Sequence, residues 1–207
     1  MLNIAVLVSG VGTNLQALLD AKRDGKIPDG RFALVLSSRP DAYALTRAKS
    51  GGLPTVIVAR SAYASKQAFD QSILAVLREH CIDVLVLAGF MCILGQEIIR
   101  AYNGRILNVH PSLIPAFCGE GYYGLKVHQA ALDRGVKVTG ATVHLVNETP
   151  DGGKILLQKA VDILPGDTPQ TLQRRVMEQA EWVLLPQAVQ QLCALLKGKK
   201  GETHADS

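Results

Sequence analysis

The sequence predicts an α/β protein: a doubly wound, Rossmann-like, mostly parallel sheet with an antiparallel edge and a long C-terminal helix. Three observations predict it. Short, nearly continuous apolar runs alternate with amphipathic stretches over the first half of the chain, the pattern of strand–helix–strand units around a sheet covered on both faces. Two strand-like runs then follow one another with too little chain between them for a helix, so they can pair only as antiparallel neighbours. Finally, one apolar series recurs every four residues from Leu172 to Leu196, which marks the core face of a long helix.

The elements follow in order. Asn3 to Val8 (NIAVLV) is brief, branched and apolar, a buried strand. It ends at SGVGTN, and Leu15 to Asp24 reads as the first helix. Phe32 to Ser37 is a second strand, Ala42 to Lys49 a short helix closed by Gly51 and Gly52, and Thr55 to Val58 a third strand. Lys66 to Glu79 is a helix with Phe69, Ile73, Val76 and Leu77 on one face. Ile82 to Leu87 is the most apolar strand and belongs near the centre of the sheet. Gln96 to Tyr102 is a short helix, and Ile106 to Val109 a fifth strand. Right-handed crossovers make this succession doubly wound. Pro111 to Gly124 is too rich in proline and glycine for regular structure. After a short helix, Val127 to Arg134, come the two antiparallel strands, Lys137 to Val146 and Ile155 to Asp162. Thr168 to Leu196 is the closing helix, and Pro186 within it predicts a kink or a division in two. With no repeat and no linker, residues 1–197 read as one domain and residues 198–207 as a polar tail.

Composition narrows the functional classes. The 207 residues, 48% hydrophobic and 19% charged, suit one globular core. The net charge is +4, with Lys and Arg scattered except at Lys197, Lys199 and Lys200. That lacks the basic stripe of a nucleic-acid binder, yet suits a small anionic substrate. Cys81, Cys92, Cys118 and Cys193 form no CxxC pair and no zinc or disulfide spacing, so they read as free thiols of a reducing cytosol. Met1 runs directly into a strand pattern with no basic leader. No apolar run approaches the roughly 20 residues of a membrane helix. The expectation is a soluble, cytoplasmic protein with no membrane or nucleic-acid partner, its state open between monomer and homodimer.

Two segments carry chemistry. Gly10, Gly12, Thr13 and Asn14 lie between the first strand and first helix. Glycine permits a close approach of backbone to ligand, and the helix N-terminus favours an anion. Neither G-x-G-x-x-G nor the Walker A pattern is present, so the loop is a phosphate-binding candidate without a nucleotide signature. Its plain alternative is a tight turn with Thr13 or Asn14 as helix cap. The second segment is Asn108-Val109-His110-Pro111-Ser112-Leu113-Ile114-Pro115. In an extended chain Asn108 and His110 point the same way, at the carboxyl edge where α/β sheets place ligands. An amide and an imidazole together can stabilise the oxyanion of acyl transfer and exchange protons near neutral pH. His144 in the later strand reads equally as a hydrogen-bonded structural histidine, and Asp151-Gly152 as a hairpin turn.

The Asn-x-His-Pro-Ser-Leu-Ile-Pro run resembles the signature of the formyltransferases that use 10-formyltetrahydrofolate. That group includes the glycinamide ribonucleotide enzyme of purine biosynthesis, methionyl-tRNA formyltransferase and formyltetrahydrofolate hydrolase. The resemblance runs from Asn3 to about Pro186, and the SGVGTN loop is similar to that of the ribonucleotide enzyme. It implies catalytic roles for Asn108, His110 and Asp151, the aspartate favouring the charged form of His110. It implies phosphate binding at Gly10, Gly12, Thr13 and Asn14, and substrate amine binding at Glu181. It further implies that the backbone of Met91, Cys92, Ile93 and Leu94 bonds the pterin ring, with Leu87, Ile99, Ile106 and Val146 as its apolar wall and His144 ordering the folate region. The co-substrates implied are glycinamide ribonucleotide and 10-formyltetrahydrofolate, with no metal. Cys92 stands where the family commonly has Arg, which removes a side-chain contact to the folate tail. Phe117 to Lys126 (FCGEGYYGLK) is longer than the family's simpler pattern and is expected to form a flap. Three rival readings remain: a formyltetrahydrofolate hydrolase, a metal hydrolase built on His110, His128, His144 and Asp151, and a non-catalytic folate binder.

Overall fold

A computed structural model describes residues 1–202. Among them, seven strands form one sheet in the order β3-β2-β1-β4-β5-β6-β7. These are β1 Leu2–Val8, β2 Gly30–Ser37, β3 Thr55–Ile57, β4 Val84–Leu87, β5 Ile106–His110, β6 Val138–Leu145 and β7 Ile155–Asp162. Strands β1 to β5 pair in parallel, while β6 and β7 are antiparallel additions at one edge. β4 holds the middle of the seven, as its apolar run predicts. The helices are α1 Thr13–Arg23, α2 Ala44–Ser50, α3 Lys66–Glu79, α4 Gln96–Ala101, α5 Leu125–Arg134, α6 Pro169–Val176 and α7 Trp182–Glu202.

The period of two along each central strand divides its side chains between two cores. Ile4, Val6 and Val8 of β1, with Val84 and Val86 of β4, join the core under α1 and α7. Ala5, Leu7, Leu85 and Leu87 join the core under α3 and α4. Burying a Leu or Ile of this kind contributes roughly 1.5–3 kcal/mol, so strands apolar on both faces are held between two helical layers. On the β5–β6 ladder the alternation changes character. Leu107, Val109, Ala141 and Val143 face the α1/α7 core, while the opposite parity carries Asn108, His110, Thr142 and His144. Antiparallel register sets Asn108 opposite His144 and His110 opposite Thr142. One face of this edge is therefore apolar and the other polar.

The closing helix differs from expectation. It is not divided at Pro186, which lies inside α7. The irregularity is a π turn, Met177–Glu181, one turn earlier, in which the Trp182 N–H bonds the carbonyl of Met177 five residues back. Pro186 cannot donate to the carbonyl of Trp182, and Trp182 is the residue at which the widened turn hands over to α7, so the regular ladder is already interrupted there. α7 also continues to Glu202, into the segment expected to be a polar tail; residues 203–207 of that segment lie outside the described residues.

Candidate active site

The strand order reverses between β1 and β4, and a doubly wound sheet offers its crevice at that switch point. The loops after β1, β4 and β5 leave from that same edge of the sheet. After β1 the chain turns through Gly12, whose φ of +77° only glycine adopts freely. A Cβ at Gly12 would stand 2.6 Å from the Ala44 Cβ and 2.8 Å from its Cα, so glycine also lets α2 abut the loop. The Ala44 N–H then donates to the Gly10 carbonyl at 3.0 Å, and Arg47 Nε donates to the Val11 carbonyl at 3.0 Å. Gly12 is the N-cap of α1, with no side-chain capping bond, so neither Thr13 nor Asn14 acts as the cap. The first-turn N–H groups of α1 have no intrahelical partners, and a helix end of this kind favours negative charge.

Asn14 itself turns inward. Its Nδ2 donates to Glu181 Oε2 at 2.7 Å, and Glu181, only 6% exposed, is carried there by the π turn. Burial pushes the Glu181 carboxyl up to about 6, against the opposing effect of the Asn14 bond. The family resemblance implies substrate amine binding at Glu181; among the described residues its side-chain hydrogen bond is with Asn14 of the loop after β1. Thr13 Oγ1 reaches only the sulfur of Met177, at 3.8 Å.

The β5–β6 ladder and the hairpin after it bring four polar side chains together. His110 Nδ1 lies 3.3 Å from Asp151 Oδ2. His144 Nε2 lies 3.4 Å from Asp151 Oδ1 and 3.2 Å from Asn108 Nδ2. Asn108 Nδ2 also donates to Asp151 Oδ1 at 3.4 Å. His144 Nδ1 donates to the Leu145 carbonyl at 3.0 Å, and Nε2 faces both the Asn108 amide and Asp151 Oδ1. Asp151 holds a φ of +53°, a left-handed conformation that Asp and Asn tolerate better than most residues. Burial would raise its carboxyl, but bonds from His144 and the Gly119 N–H, together with the His110 charge, bring it below the usual carboxylate range. For His110, 4% exposed, burial lowers the ring below its ordinary value and outweighs the Phe117 carbonyl and Asp151, which both raise it. The expectation that Asp151 favours charged His110 thus holds for the pairwise effect and not for the sum.

The flap accounts for the remaining contacts. The Phe117 carbonyl accepts from His110 Nε2 at 2.8 Å, and the Gly119 N–H donates to Asp151 Oδ2 at 2.9 Å. Below it, Thr142 Oγ1 donates to the Ser112 carbonyl at 2.7 Å and accepts from the Ile114 N–H at 3.1 Å, bracing the turn after His110. The sequence places Phe117 and Gly119 in the expected flap without giving their contacts, and it does not single out Thr142. The i, i+2 alternation with His144 points to Thr142 once the strand register is known.

The folate candidates separate into two groups. Leu87, Leu94, Ile99 and Ile106 belong to the α3/α4 core, Ile106 with no exposed surface, while Cys92 and Val146 pack at its margin. Met91 and Ile93 project outward, 57% and 64% exposed. The Met91 N–H is already bonded to Ser9 Oγ at 2.9 Å, which ties the β4 loop to the end of β1. A separate cavity of about 620 Å³ runs between α1 and α7 past Thr13, Asp20, Arg47 and Trp182; it adjoins the phosphate loop and not His110.

The model of the family described as formyl transferase matches residues 2–189. A glycinamide ribonucleotide transformylase 1 from Symbiobacterium toebii superimposes with a TM-score of 0.88 at 44% identity, over 94% of this chain and 88% of that one. The phosphoribosylglycinamide formyltransferase of Haemophilus influenzae is 41% identical over 186 residues, 90% of this chain and 84% of that protein. The trifunctional purine biosynthetic protein adenosine-3 of Bos taurus is 43% identical over 187 residues; these cover 90% of this chain but only 18% of that much longer protein. Among the described residues no helix is long and apolar enough to cross a membrane. The phosphate loop, the polar ladder and the Asp151 hairpin all fall inside the matched span, and the chain belongs to the formyl transferase family.

Proposed function

We propose that the chain transfers the formyl group of 10-formyltetrahydrofolate to the amine of glycinamide ribonucleotide, a step of purine biosynthesis. The observation that carries the proposal is the convergence of Asn108, His110, His144 and Asp151 at the carboxyl edge of the sheet, the edge at which β1 also leads into a helix N-terminus with no side-chain cap. The names of the Haemophilus influenzae and Symbiobacterium toebii relatives support the same activity.

In this reading the phosphate rests on the main-chain N–H groups from Gly10 to Asn14, and Glu181 serves the ribonucleotide from beneath Asn14. The amine attacks the formyl carbon, a C–N bond forms, and the bond from that carbon to the folate N10 breaks. His110 Nε2 and the Asn108 amide donate to the formyl oxygen as it gains negative charge. Asp151 holds His110 through Nδ1 and helps move the proton from the attacking amine to N10. Proximity of the two substrates supplies much of the acceleration. No covalent enzyme intermediate is required. The apolar strip from Met91 to Leu94, with Val146, forms the folate side.

The test is deformylation of a 10-formyl folate, followed by absorbance, with and without glycinamide ribonucleotide. Turnover that requires the ribonucleotide and yields its formylated product supports the proposal, and His110→Ala should then lower kcat by at least about a hundredfold. Formate release that ignores the ribonucleotide would replace this reading with a hydrolase.

A further inference from the structure

From the flap we infer that residues 117–124 are a latch that withholds His110 from water until the amine substrate arrives, so that Phe117 and Gly119 help decide whether the formyl group goes to an amine or to water. This rests on the formyl-transfer reading above. Both ring nitrogens of His110 are occupied, Nδ1 by Asp151 and Nε2 by the Phe117 carbonyl. No nitrogen is left to face a substrate in the latched state. The second catalytic partner is held by the same segment, because the Gly119 N–H bonds the Asp151 oxygen that faces His110.

The latch has a built geometry. Phe117 holds a φ of +49°, unusual for a bulky residue, and that conformation aims its carbonyl at the imidazole. Its ring packs edge-on against Tyr122 at 6.4 Å, and the turn before it is fixed by Ser112 Oγ donating to the Ala116 carbonyl at 2.6 Å. Release has an evident hinge: Gly119, Gly121 and Gly124 all hold positive φ, in a stretch whose tip is exposed from Glu120 onward. The tip also presents Tyr122, Tyr123 and Leu125 to solvent, apolar surface that a bound co-substrate would cover once the flap lifts.

The uncoupled reaction that the latch suppresses is balanced without any further reagent. A water oxygen bonds to the formyl carbon, the bond from that carbon to N10 breaks, N10 takes a proton, and formate leaves. A free His110 Nε2 would assist this step as readily as transfer, since either nucleophile builds the same oxyanion.

Gly119→Pro removes the N–H that Asp151 accepts and forbids the positive φ, while Tyr122→Ala removes the ring that backs Phe117. With 10-formyl folate and no amine, Gly119→Pro should release formate about tenfold faster than the parent, the population change expected from one lost hydrogen bond, and Tyr122→Ala about threefold faster, as expected from one lost aromatic edge contact, while transfer to glycinamide ribonucleotide changes less. Formate release that stays at the parent level in both folded variants overturns the latch. Nuclear magnetic resonance of the substrate-free protein separates this from failure of the function. A slowly exchanging His110 Nε2 proton in the parent, lost in Gly119→Pro, supports the latch whichever amine proves to be the acceptor. Its absence in the parent overturns the latch even if transfer is observed.

Discussion

Replacing Glu181 by Gln tests the electrostatics of the π turn. Glu181 is buried and its carboxyl is pushed up by burial from an ordinary 4.5 to about 6. A raised carboxyl binds its proton more tightly in the folded protein than in the unfolded chain. Its contribution to stability is therefore fully present below pH 4.5 and is lost as pH rises through about 6. The interval between 4.5 and about 6, at about 1.4 kcal/mol per pH unit, corresponds to about 2 kcal/mol. Glutamine keeps the oxygen that accepts from Asn14 Nδ2, carries no charge at any pH and has nearly the same volume. Glu181→Gln should match the parent in stability near pH 4.5 and exceed it by about 2 kcal/mol above pH 7. Urea unfolding of both proteins at several pH values between 4.5 and 8 reads this directly, with the slope m held equal as a check on two-state behaviour. A gap that stays constant across that range would refute the argument, because a constant difference comes from packing and not from ionisation. The gain is expected to come with a loss of formyl transfer, as buried charge is commonly kept for function at the expense of stability.

Two further outcomes follow from the same site. His128 is fully buried on α5, and burial together with the His110 charge pushes its ring down to about 4. Its unfolded form takes up a proton near 6.5, so acid should destabilise the protein between those two values by up to about 3 kcal/mol; His128→Leu should flatten the dependence of the urea midpoint on pH, and an unchanged dependence would assign the acid sensitivity to another group. Asp151→Asn tolerates the same left-handed backbone but removes the charge that raises His110. The His110 titration, followed by nuclear magnetic resonance, should move further below its ordinary value and kcat should fall; a titration that stays in place would show that Asp151 does not act on the imidazole.

The sheet was legible because its cause is local. A strand buried on both faces has to be apolar at every position, so β1 and β4 could be placed from Val, Ile and Leu alone, and the brief link between β6 and β7 left only an antiparallel pairing. Asn108 and His110 were legible as a pair because alternation is a property of any extended chain. What aligned them with His144 and Thr142 was the register of β5 on β6, set by pairing across more than thirty residues of sequence. The closing helix shows the same division. Its four-residue period located the buried series from Leu172 to Leu192, but the slip to five-residue hydrogen bonding at Met177–Glu181 depends on how the helix settles against β6, β7 and α1. That slip decides whether Glu181 lies on a solvated face or beneath Asn14. Composition and periodicity thus determined the layers, the central place of β4 and the antiparallel edge, and they marked the glycine loop and the Asn108–His110 pair as able to do chemistry. The tertiary structure alone decided which side chains meet, that the Met91 N–H is bonded to Ser9, and that the flap fills the last free nitrogen of His110. Period and polarity are written residue by residue, whereas a hydrogen bond between distant segments depends on the packing of everything between them.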